Sequence, residues 1–332
     1  MDKDLIITTI KILKNNMPAL SGIEEKYFNG YKVDKENDNT IYSDEQHVYI
    51  DKASNQKCIS VTTLIGKYEN EFDEDFWSSY KTLEEMMDGD VWSIVRESLL
   101  NKKIFNIKIL DKYNINKDSF NKRKSEIIES YRINRESSCA RGTAIHAMFE
   151  NAMYGNKHFD FNKYGYDELS GEYTCTKDYY KLDVERGVFP EFLISLTSRD
   201  NILRVAGQVD LIIKDGNDIY IIDYKSNKKI KKTSYYDKGK KSNVMMKYPL
   251  NHIQDCNFNH YQLQLSLYAY LIQQIYPEYN IKGLKLIHID HDDNQTEIEC
   301  EYLKEDVERM LKHFKKQLKI QNELDQIKQI KY

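Results

Sequence analysis

Two aspartates and a lysine are spaced so that they could hold a cation beside a phosphate. Asp210 lies in GQVDLIIK and Asp223 in IYIIDYK, and the intervening DGND (Asp215–Asp218) predicts a two-residue hairpin turn. Such a turn sets Asp210 directly opposite Asp223, and two carboxylates that close repel unless a cation lies between them. Lys225, two residues beyond Asp223, projects from the same face of its strand. The apolar flanks indicate buried strands, where charges need a metal or partners. The alternative is an ordinary surface hairpin with a salt bridge.

A second group of polar side chains falls in ARGTAIHAMFE. On a helix, Thr143, His146 and Glu150 share one face because they are three and four residues apart. The plain structural explanation makes His146 a hydrogen-bonded core histidine and Glu150 a solvated position. Alternatively, Gly142 and Thr143 near a helix start would point backbone amides at a phosphate.

A third group lies in NHYQLQLSLYAYLIQQ. Tyr261, Gln264 and Tyr268 share one helical face, with Gln264 and Tyr268 four residues apart. Taken alone, this pattern is typical of a half-buried amphipathic helix with tyrosines in the core.

Taken together and in this order, the three groups resemble the RecB-like branch of the PD-(D/E)XK nuclease superfamily. The matching pieces are the Gly-Thr-x-x-His of 142–146, the Asp210…Asp223-Tyr224-Lys225 core and the Gln-x-x-x-Tyr of 264–268. The resemblance covers about residues 135–290. It extends to SVTTLIGKYENEFD, with Ser60 and Thr62, which looks like a segment of phage-type exonucleases and the mitochondrial genome maintenance exonuclease.

The resemblance implies a role for each matching residue. His146, Asp210 and Asp223, with the backbone carbonyl of Tyr224, would bind a divalent metal, and Lys225 would position or activate the attacking water. Gln264 and Tyr268 would orient the lysine or hold the DNA backbone. Glu191 matches a position that often carries an acid. The residues expected to contact DNA are Arg141, Thr143, Tyr261, Gln264 and Tyr268.

The expected cofactor is Mg²⁺ or Mn²⁺. Oxygen ligands suit Mg²⁺, and an imidazole favours Mn²⁺. Some relatives carry four cysteines that hold an iron–sulfur cluster. Here the five cysteines lie tens of residues apart and only Cys300 follows Cys256, so no cluster is expected.

A run of lysines begins at Lys225. Residues 225–247 contain nine lysines and one acid, a local charge of about +8 in a protein of net charge -4. A solvated connector is the alternative, but the position beside Lys225 favours a phosphate-binding loop, and Tyr235, Tyr236 and Tyr248 could stack on unpaired bases. The lysines expected to contact phosphates are Lys228, Lys229, Lys231 and Lys232.

Composition excludes several classes of protein. Aromatic residues make up 12% of the 332, which argues against disorder, and Gly (13) and Pro (4) are too few for a turn-dense sandwich. No apolar run reaches membrane-spanning length, no secretory signal is seen, and scattered free thiols fit a reducing compartment. We therefore expect a cytoplasmic protein. Its Lys-, Ile- and Tyr-rich composition favours an AT-rich genome, and the resemblance favours a phage, in which case the protein acts in the host cytoplasm.

The elements that position these residues predict an α/β (α+β) fold. Strands rich in Val and Ile alternate with amphipathic helices, so we expect a central mixed sheet flanked by helices. Helices are expected over 2–17, from Asp73 to about Met87, across much of 91–136, and then over 140–154, 260–276 and 303–328. Strands are expected within 25–62, 188–198, 202–214, 219–225 and 283–291. Residues 1–130 are expected to be mainly helical and to help form a DNA channel, and residues 131–332 to form the nuclease core.

The function expected is a metal-dependent DNA exonuclease acting on single strands or ends in replication, recombination or repair. The alternatives are a structure-specific endonuclease or flap nuclease, and a non-catalytic DNA-binding module of the same fold. No Walker-A pattern is present, so a helicase would be a separate chain, as would a recombinase or single-strand-binding partner.

Overall fold

The computed structural model describes residues 35–43, 46–154, 164–166, 168–169, 171–175 and 181–330. The helix expected over residues 2–17 lies outside them. The strands are β1 (Lys35–Glu36), β2 (Thr40–Ser43), β3 (Val48–Asp51), β4 (Gln56–Ser60), β5 (Thr174–Cys175), β6 (Arg186–Thr197), β7 (Arg204–Asp215), β8 (Asp218–Lys225), β9 (Tyr236–Asp237), β10 (Ser242–Asn243), β11 (Asn280–Ile289) and β12 (Gln295–Cys300). The helices are α1 (Val61–Gly66), α2 (Glu74–Met86), α3 (Gly89–Lys102), α4 (Lys108–Lys112), α5 (Lys117–Tyr154), α6 (Asn257–Ile275) and α7 (Lys304–Ile330).

A mixed sheet forms the centre of the molecule, as the sequence predicted. Its order is β1-β2-β3-β4-β7-β8-β11-β12, with β6 pairing β7 and β5 pairing β6. The contacts β4–β7, β8–β11 and β5–β6 are parallel, and the other contacts are antiparallel. Strand β12, an exposed and polar edge strand, was not expected from the sequence.

Helices cover both faces of the sheet. On one face α6 and α7 bury residues such as Leu267 and Met310 against β6, β7 and β8. On the other face α5 places Ile145 and Met153 against Leu211, Ile222 and their neighbours. This sandwich explains why β7 and β8 are apolar on both sides and why the few charges inside them are conspicuous.

The first half of the chain adds a small helical region with its own core around Leu83, Trp92 and Phe120. Helix α2 begins as predicted, with the Asp73 carboxylate accepting from the Phe76 amide at 2.8 Å.

The sequence predicted mainly helical structure across residues 91–136 and another helix over 140–154. The first part of this stretch forms α3 and α4, but from Lys117 the chain continues as the single 38-residue helix α5 through to Tyr154, without the expected break before residue 140. The reason is that a single interior glycine, Gly142, costs only about 1 kcal/mol and does not end a helix, and no proline interrupts the segment. The expected boundary near residue 130 therefore falls inside a continuous helix.

Candidate functional site

The β7–β8 hairpin has the register predicted from its turn. The paired residues run from Asp215↔Asp218 to Leu211↔Ile222, so Gly216 and Asn217 form the two-residue turn. Gly216 has φ +59°, a conformation that glycine adopts without strain. One step beyond the last pair, Asp210 and Asp223 occupy opposing positions.

A gap in strand pairing lies at Asp210. On one edge, β7 pairs with β4 at Val205 and Ala206 and with β8 from residue 211 onward. Residues 207–210 pair with neither strand on that edge. The Asp210 carboxylate closes part of the gap, because its Oδ2 accepts a hydrogen bond from the Tyr224 amide at 2.7 Å. The sheet thus opens where the charged residues converge.

Three potential metal ligands meet beside this gap. His146 on α5, Glu191 on β6 and Asp210 on β7 offer ligand atoms that all lie within 4.8 Å of one another. The His146 Nδ1 atom is 3.6 Å from Glu191 Oε1 and 3.5 Å from Asp210 Oδ1. Glu191 has φ +51°, a left-handed conformation that few residues other than glycine adopt. Such an outlier on a strand motivates the hypothesis that Glu191 is held for function.

The hydrogen bond on the far side of the ring fixes the histidine tautomer. His146 Nε2 lies 3.2 Å from the Tyr224 carbonyl oxygen, so Nε2–H donates there and Nδ1 faces the carboxylates. Burial alone would lower the pKa of His146, but the charges of Asp210 and Glu191 outweigh it and raise the pKa to about 9. Burial, followed by repulsion from Asp223, raises the pKa of Asp210. Without a metal, a proton on the imidazole serves as the counterion of this acidic group.

A second constellation joins Asp223, Lys225 and Gln264. Lys225 Nζ lies 2.5 Å from Asp223 Oδ2 and donates to Gln264 Oε1 at 3.2 Å, while Gln264 Nε2 donates to Asp223 Oδ1 at 2.9 Å. Burial alone would lower the pKa of Lys225, but the Asp223 and Asp210 charges outweigh it and raise the pKa. Lys225 is therefore a charged ammonium held in one place by two neighbours.

Helix α6 supplies the remaining residues around Lys225. The Lys225 Nζ atom lies 4.7 Å from the centre of the Tyr261 ring. The Tyr261 hydroxyl donates to the Asn227 side chain at 2.6 Å. Tyr268 is buried and reaches the strand at Gly207, where an added Cβ would lie 2.9 Å from its ring. The predicted helical face of Tyr261, Gln264 and Tyr268 thus lies over the hairpin.

In the structure the residues expected to bind the metal fall into two groups rather than one. His146 and Asp210 lie in the three-residue group, and so does Glu191, which the resemblance had supported only weakly. Asp223 instead contacts Lys225 and Gln264. The Tyr224 carbonyl faces His146 Nε2, on the other side of the ring from the carboxylates. Local spacing could not distinguish these arrangements, because they depend on where α5 meets the sheet.

Arg141, which was expected to contact DNA, has its guanidinium engaged within the protein. Its side chain is 8% exposed, and its guanidinium donates to the carbonyls of Ser226, Ile289 and Asp290 and to the Asp293 carboxylate. Arg141 therefore anchors α5 against the ends of β8 and β11.

Gly142 and Thr143 were expected near a helix start, with amides free for a phosphate. They lie in the interior of α5, where backbone amides are used by the helix itself. The exposed Thr143 hydroxyl donates to the Cys139 carbonyl at 3.1 Å. Glu150 lies one turn beyond His146 on the same helix.

Ser60 and Thr62 lie where β4 leads into α1, beside the start of β7. Ser60 caps α1 by accepting from the Thr63 amide at 3.0 Å, and its hydroxyl also lies 3.2 Å from that of Thr62. The Ser60 hydroxyl is thus engaged in starting the helix.

The lysine-rich segment from residue 225 to 247 is tied to the protein at several points. Asn257 accepts from the Lys231 amide at 2.7 Å and donates to the Lys229 carbonyl at 2.9 Å. Farther along, Lys103 Nζ lies 2.7 Å from the buried Asp237 carboxylate, which joins the segment to the helical region. The lysines named as phosphate contacts, Lys228, Lys229, Lys231 and Lys232, are all exposed.

Sequence reasoning missed two residues of the gap, Tyr49 and Gln208. Burial raises the pKa of Tyr49 on β3, and Tyr42 and the Glu191 and Asp210 charges raise it further. A hydrogen bond between the Tyr49 hydroxyl and the Gln208 backbone opposes that rise. No sequence signal links the two residues, since they are far apart in the chain and meet only through sheet assembly.

The donor set fits a divalent cation. The ligand atoms of two carboxylates and an imidazole lie within 4.8 Å of one another. The carboxylates repel each other, or one of the groups takes up a proton, unless a cation binds between them. Asp223 Oδ2 is engaged by the Lys225 ammonium at 2.5 Å, so the three-residue group is the donor set considered for the cation. Carboxylate oxygens suit Mg²⁺, and the mixture with imidazole suits Mn²⁺.

Comparison with known families agrees with this class of site. A family model described as the PD-(D/E)XK nuclease superfamily matches residues 176–331, which contain the Glu191, Asp210, Asp223 and Lys225 positions. This part of the chain is a PD-(D/E)XK nuclease superfamily domain, and the family indicates a metal-dependent nuclease. No curated protein and no solved structure gives a significant match. Among the described residues, none of the helices combines the length and apolar character needed to cross a membrane.

Proposed function

We propose that this protein is a divalent-metal-dependent deoxyribonuclease of the RecB-like type, and that it acts as an exonuclease on single strands or DNA ends. The observation that carries the proposal is the placement of a buried, charged Lys225 beside Asp223 and next to the His146–Glu191–Asp210 group. A metal lowers the pKa of a bound water and neutralises phosphate charge, and a fixed ammonium adds stabilisation of the charge that develops in the transition state.

In this proposal His146, Glu191 and Asp210 hold the metal, with Asp223 near it. When bound, the metal neutralises charge on the phosphate and lowers the pKa of a water. The imidazole can bind through Nδ1 because Nε2–H is engaged by the Tyr224 carbonyl.

Lys225 stabilises the negative charge that develops on the phosphate oxygens. Its ammonium is held by Gln264 Oε1 at 3.2 Å, and the same amide donates to Asp223 at 2.9 Å. Gln264 therefore positions the carboxylate and the ammonium together. Tyr261 limits the space on another side of the ammonium through its ring.

The basic segment from residue 225 to 247 supports DNA as the substrate. Its exposed lysines lead directly away from Lys225, and the contacts with Asn257 hold part of the segment in a defined shape. Tyr235, Tyr236 and Tyr248 are 44%, 53% and 68% exposed, as expected for rings that stack on unpaired bases. These rings favour a single-stranded substrate over a purely duplex one.

The test is digestion of 5′- and 3′-labelled single- and double-stranded DNA with Mg²⁺, Mn²⁺ or EDTA. The proposal predicts metal-dependent release of short products from linear single strands and none in EDTA. Internal cleavage of closed circular single strands would support the endonuclease alternative. DNA binding without cleavage under every metal condition would support the non-catalytic module and overturn the proposal.

A further inference from the structure

Gln208 carries an unused hydrogen-bond donor at the site. Its side-chain Nε2 is buried and has no hydrogen-bond partner among the described residues. A buried amide donor without an acceptor destabilises the folded protein, so native proteins rarely keep one without a reason. Because this donor lies in the strand that carries Asp210, the reason can be sought in the reaction.

The side chain of Gln208 projects to the same side of β7 as Asp210. Val205 and Val209 belong to the core beneath α6, and Gly207 meets Tyr268 of that helix. Residue 208, between them, therefore points to the opposite side. The alternation of faces shifts after Val209, since Leu211 packs on the α5 side, so Asp210 is placed on that side by its own contact with His146 of α5. Gln208 is thus the neighbour of Asp210 on the metal-binding side of the strand.

Gln208 also lies in the gap of the sheet. Residues 207–210 have no strand partner on the edge between β4 and β8. The Tyr49 hydroxyl, from β3, takes part in a hydrogen bond with the Gln208 backbone. The Gln208 backbone thus has a partner at this edge, while its side-chain Nε2 has none among the described residues.

We infer that Gln208 is a substrate-binding residue whose Nε2 donates to a phosphate oxygen of the bound DNA strand, next to the phosphate held by the metal. This inference rests on the proposed nuclease function. A phosphate oxygen is a charged acceptor, and hydrogen bonds to charged acceptors are stronger than those between neutral groups. The metal neutralises charge nearby, and the amide adds a directed contact without adding charge to an already crowded group.

The inference makes opposite predictions for stability and for activity. Gln208→Met keeps the length of the side chain and removes the orphaned donor, so thermal stability should be unchanged or higher. The kcat/KM for labelled single-stranded DNA should fall about ten- to a hundredfold, the loss expected for a hydrogen bond to a charged group. The Mn²⁺ concentration for half-maximal cleavage should not change. Gln208→Ala should lose activity in the same way.

Gln262 provides a matched control. It is also a buried glutamine, but its Oε1 accepts from the Glu301 amide at 3.0 Å. Gln262→Met should lower thermal stability, because the Glu301 amide loses its partner, and should leave kcat/KM within about twofold of wild type.

The outcomes separate this inference from the function on which it rests. If both Gln208 variants match wild-type kcat/KM, or if they lose stability as Gln262→Met does, the inference is overturned while the nuclease proposal stands. If the variants need a higher Mn²⁺ concentration for half-maximal cleavage while their KM for DNA is unchanged, the amide supports metal binding. The assignment of Nε2 to a phosphate oxygen is then wrong. If the wild-type protein cleaves no DNA, the proposed function fails and this inference fails with it.

Discussion

Replacing Lys225 by methionine should destabilise the folded protein as well as abolish cleavage. Lys225 Nζ lies 2.5 Å from Asp223 Oδ2, with side chains 15% and 1% exposed. Removing one partner of a buried ion pair leaves an uncompensated charge and costs about 3–5 kcal/mol. The lower end, about 3 kcal/mol, applies here because Gln264 still donates to the remaining carboxylate.

The double variant Lys225→Met/Asp223→Asn should recover much of that loss, because no buried charge is left unpaired. The free energy of unfolding would be measured by urea denaturation in EDTA. Lys315→Met is the control, since its 2.9 Å pair with Asp200 is solvent-exposed and should contribute little to the free energy of unfolding. Equal losses in the single and double variants, or a Lys225→Met protein as stable as wild type, would refute the reasoning.

Both Lys225 variants should also lose cleavage by at least about a hundredfold in single-turnover assays, since the phosphate charge loses its ammonium. Metal binding should persist in Lys225→Met because His146, Glu191 and Asp210 are intact. A near-normal cleavage rate would mean that Lys225 is an ordinary strand residue.

Two further predictions concern the metal group and the basic segment. Glu191→Gln should raise the Mn²⁺ concentration for half-maximal cleavage about tenfold or more, equivalent to at least about 1.4 kcal/mol, and an unchanged requirement would remove Glu191 from the ligand set. Replacing four lysines of the basic segment by Gln should weaken DNA binding in EDTA. It should also reduce the slope of log affinity against log salt by up to about 3, since each phosphate contact to a single strand contributes about 0.7 to that slope. The same change in four lysines of α7 is the control, and equal effects of the two sets would show a general charge effect rather than phosphate contacts. The basic-segment set is Lys228, Lys229, Lys231 and Lys232, and the control set is Lys312, Lys315, Lys316 and Lys319.

Local signals predicted the parts of the site that neighbouring residues determine. The DGND turn fixed the pairing of β7 with β8, and with it the opposition of Asp210 and Asp223, because a two-residue turn leaves one register. Asp73 likewise marked the start of α2. In both places the determining residues are within a few positions of each other.

The rest of the site depends on contacts between distant parts of the chain. The parallel pairing of β4 with β7 borders the gap at residues 207–210, and it joins residues 146 positions apart in the chain, such as Ile59 and Val205. Glu191 enters the metal group through a left-handed backbone conformation that an acid seldom adopts, so no propensity rule predicts it. Arg141 had the residue type of a DNA contact, but its burial against the ends of β8 and β11 is a tertiary property.

The most direct test of the account is to measure Mn²⁺ binding, DNA affinity and cleavage on the same preparations of wild-type protein and Asp210→Asn. Asp210 contacts both His146 and the Tyr224 amide, so its charge is central to the metal group. The account predicts that Asp210→Asn loses Mn²⁺ binding and cleavage while its DNA affinity in EDTA stays close to wild type. An Asp210→Asn protein that cleaves DNA at the wild-type rate in Mg²⁺ and Mn²⁺ would contradict it.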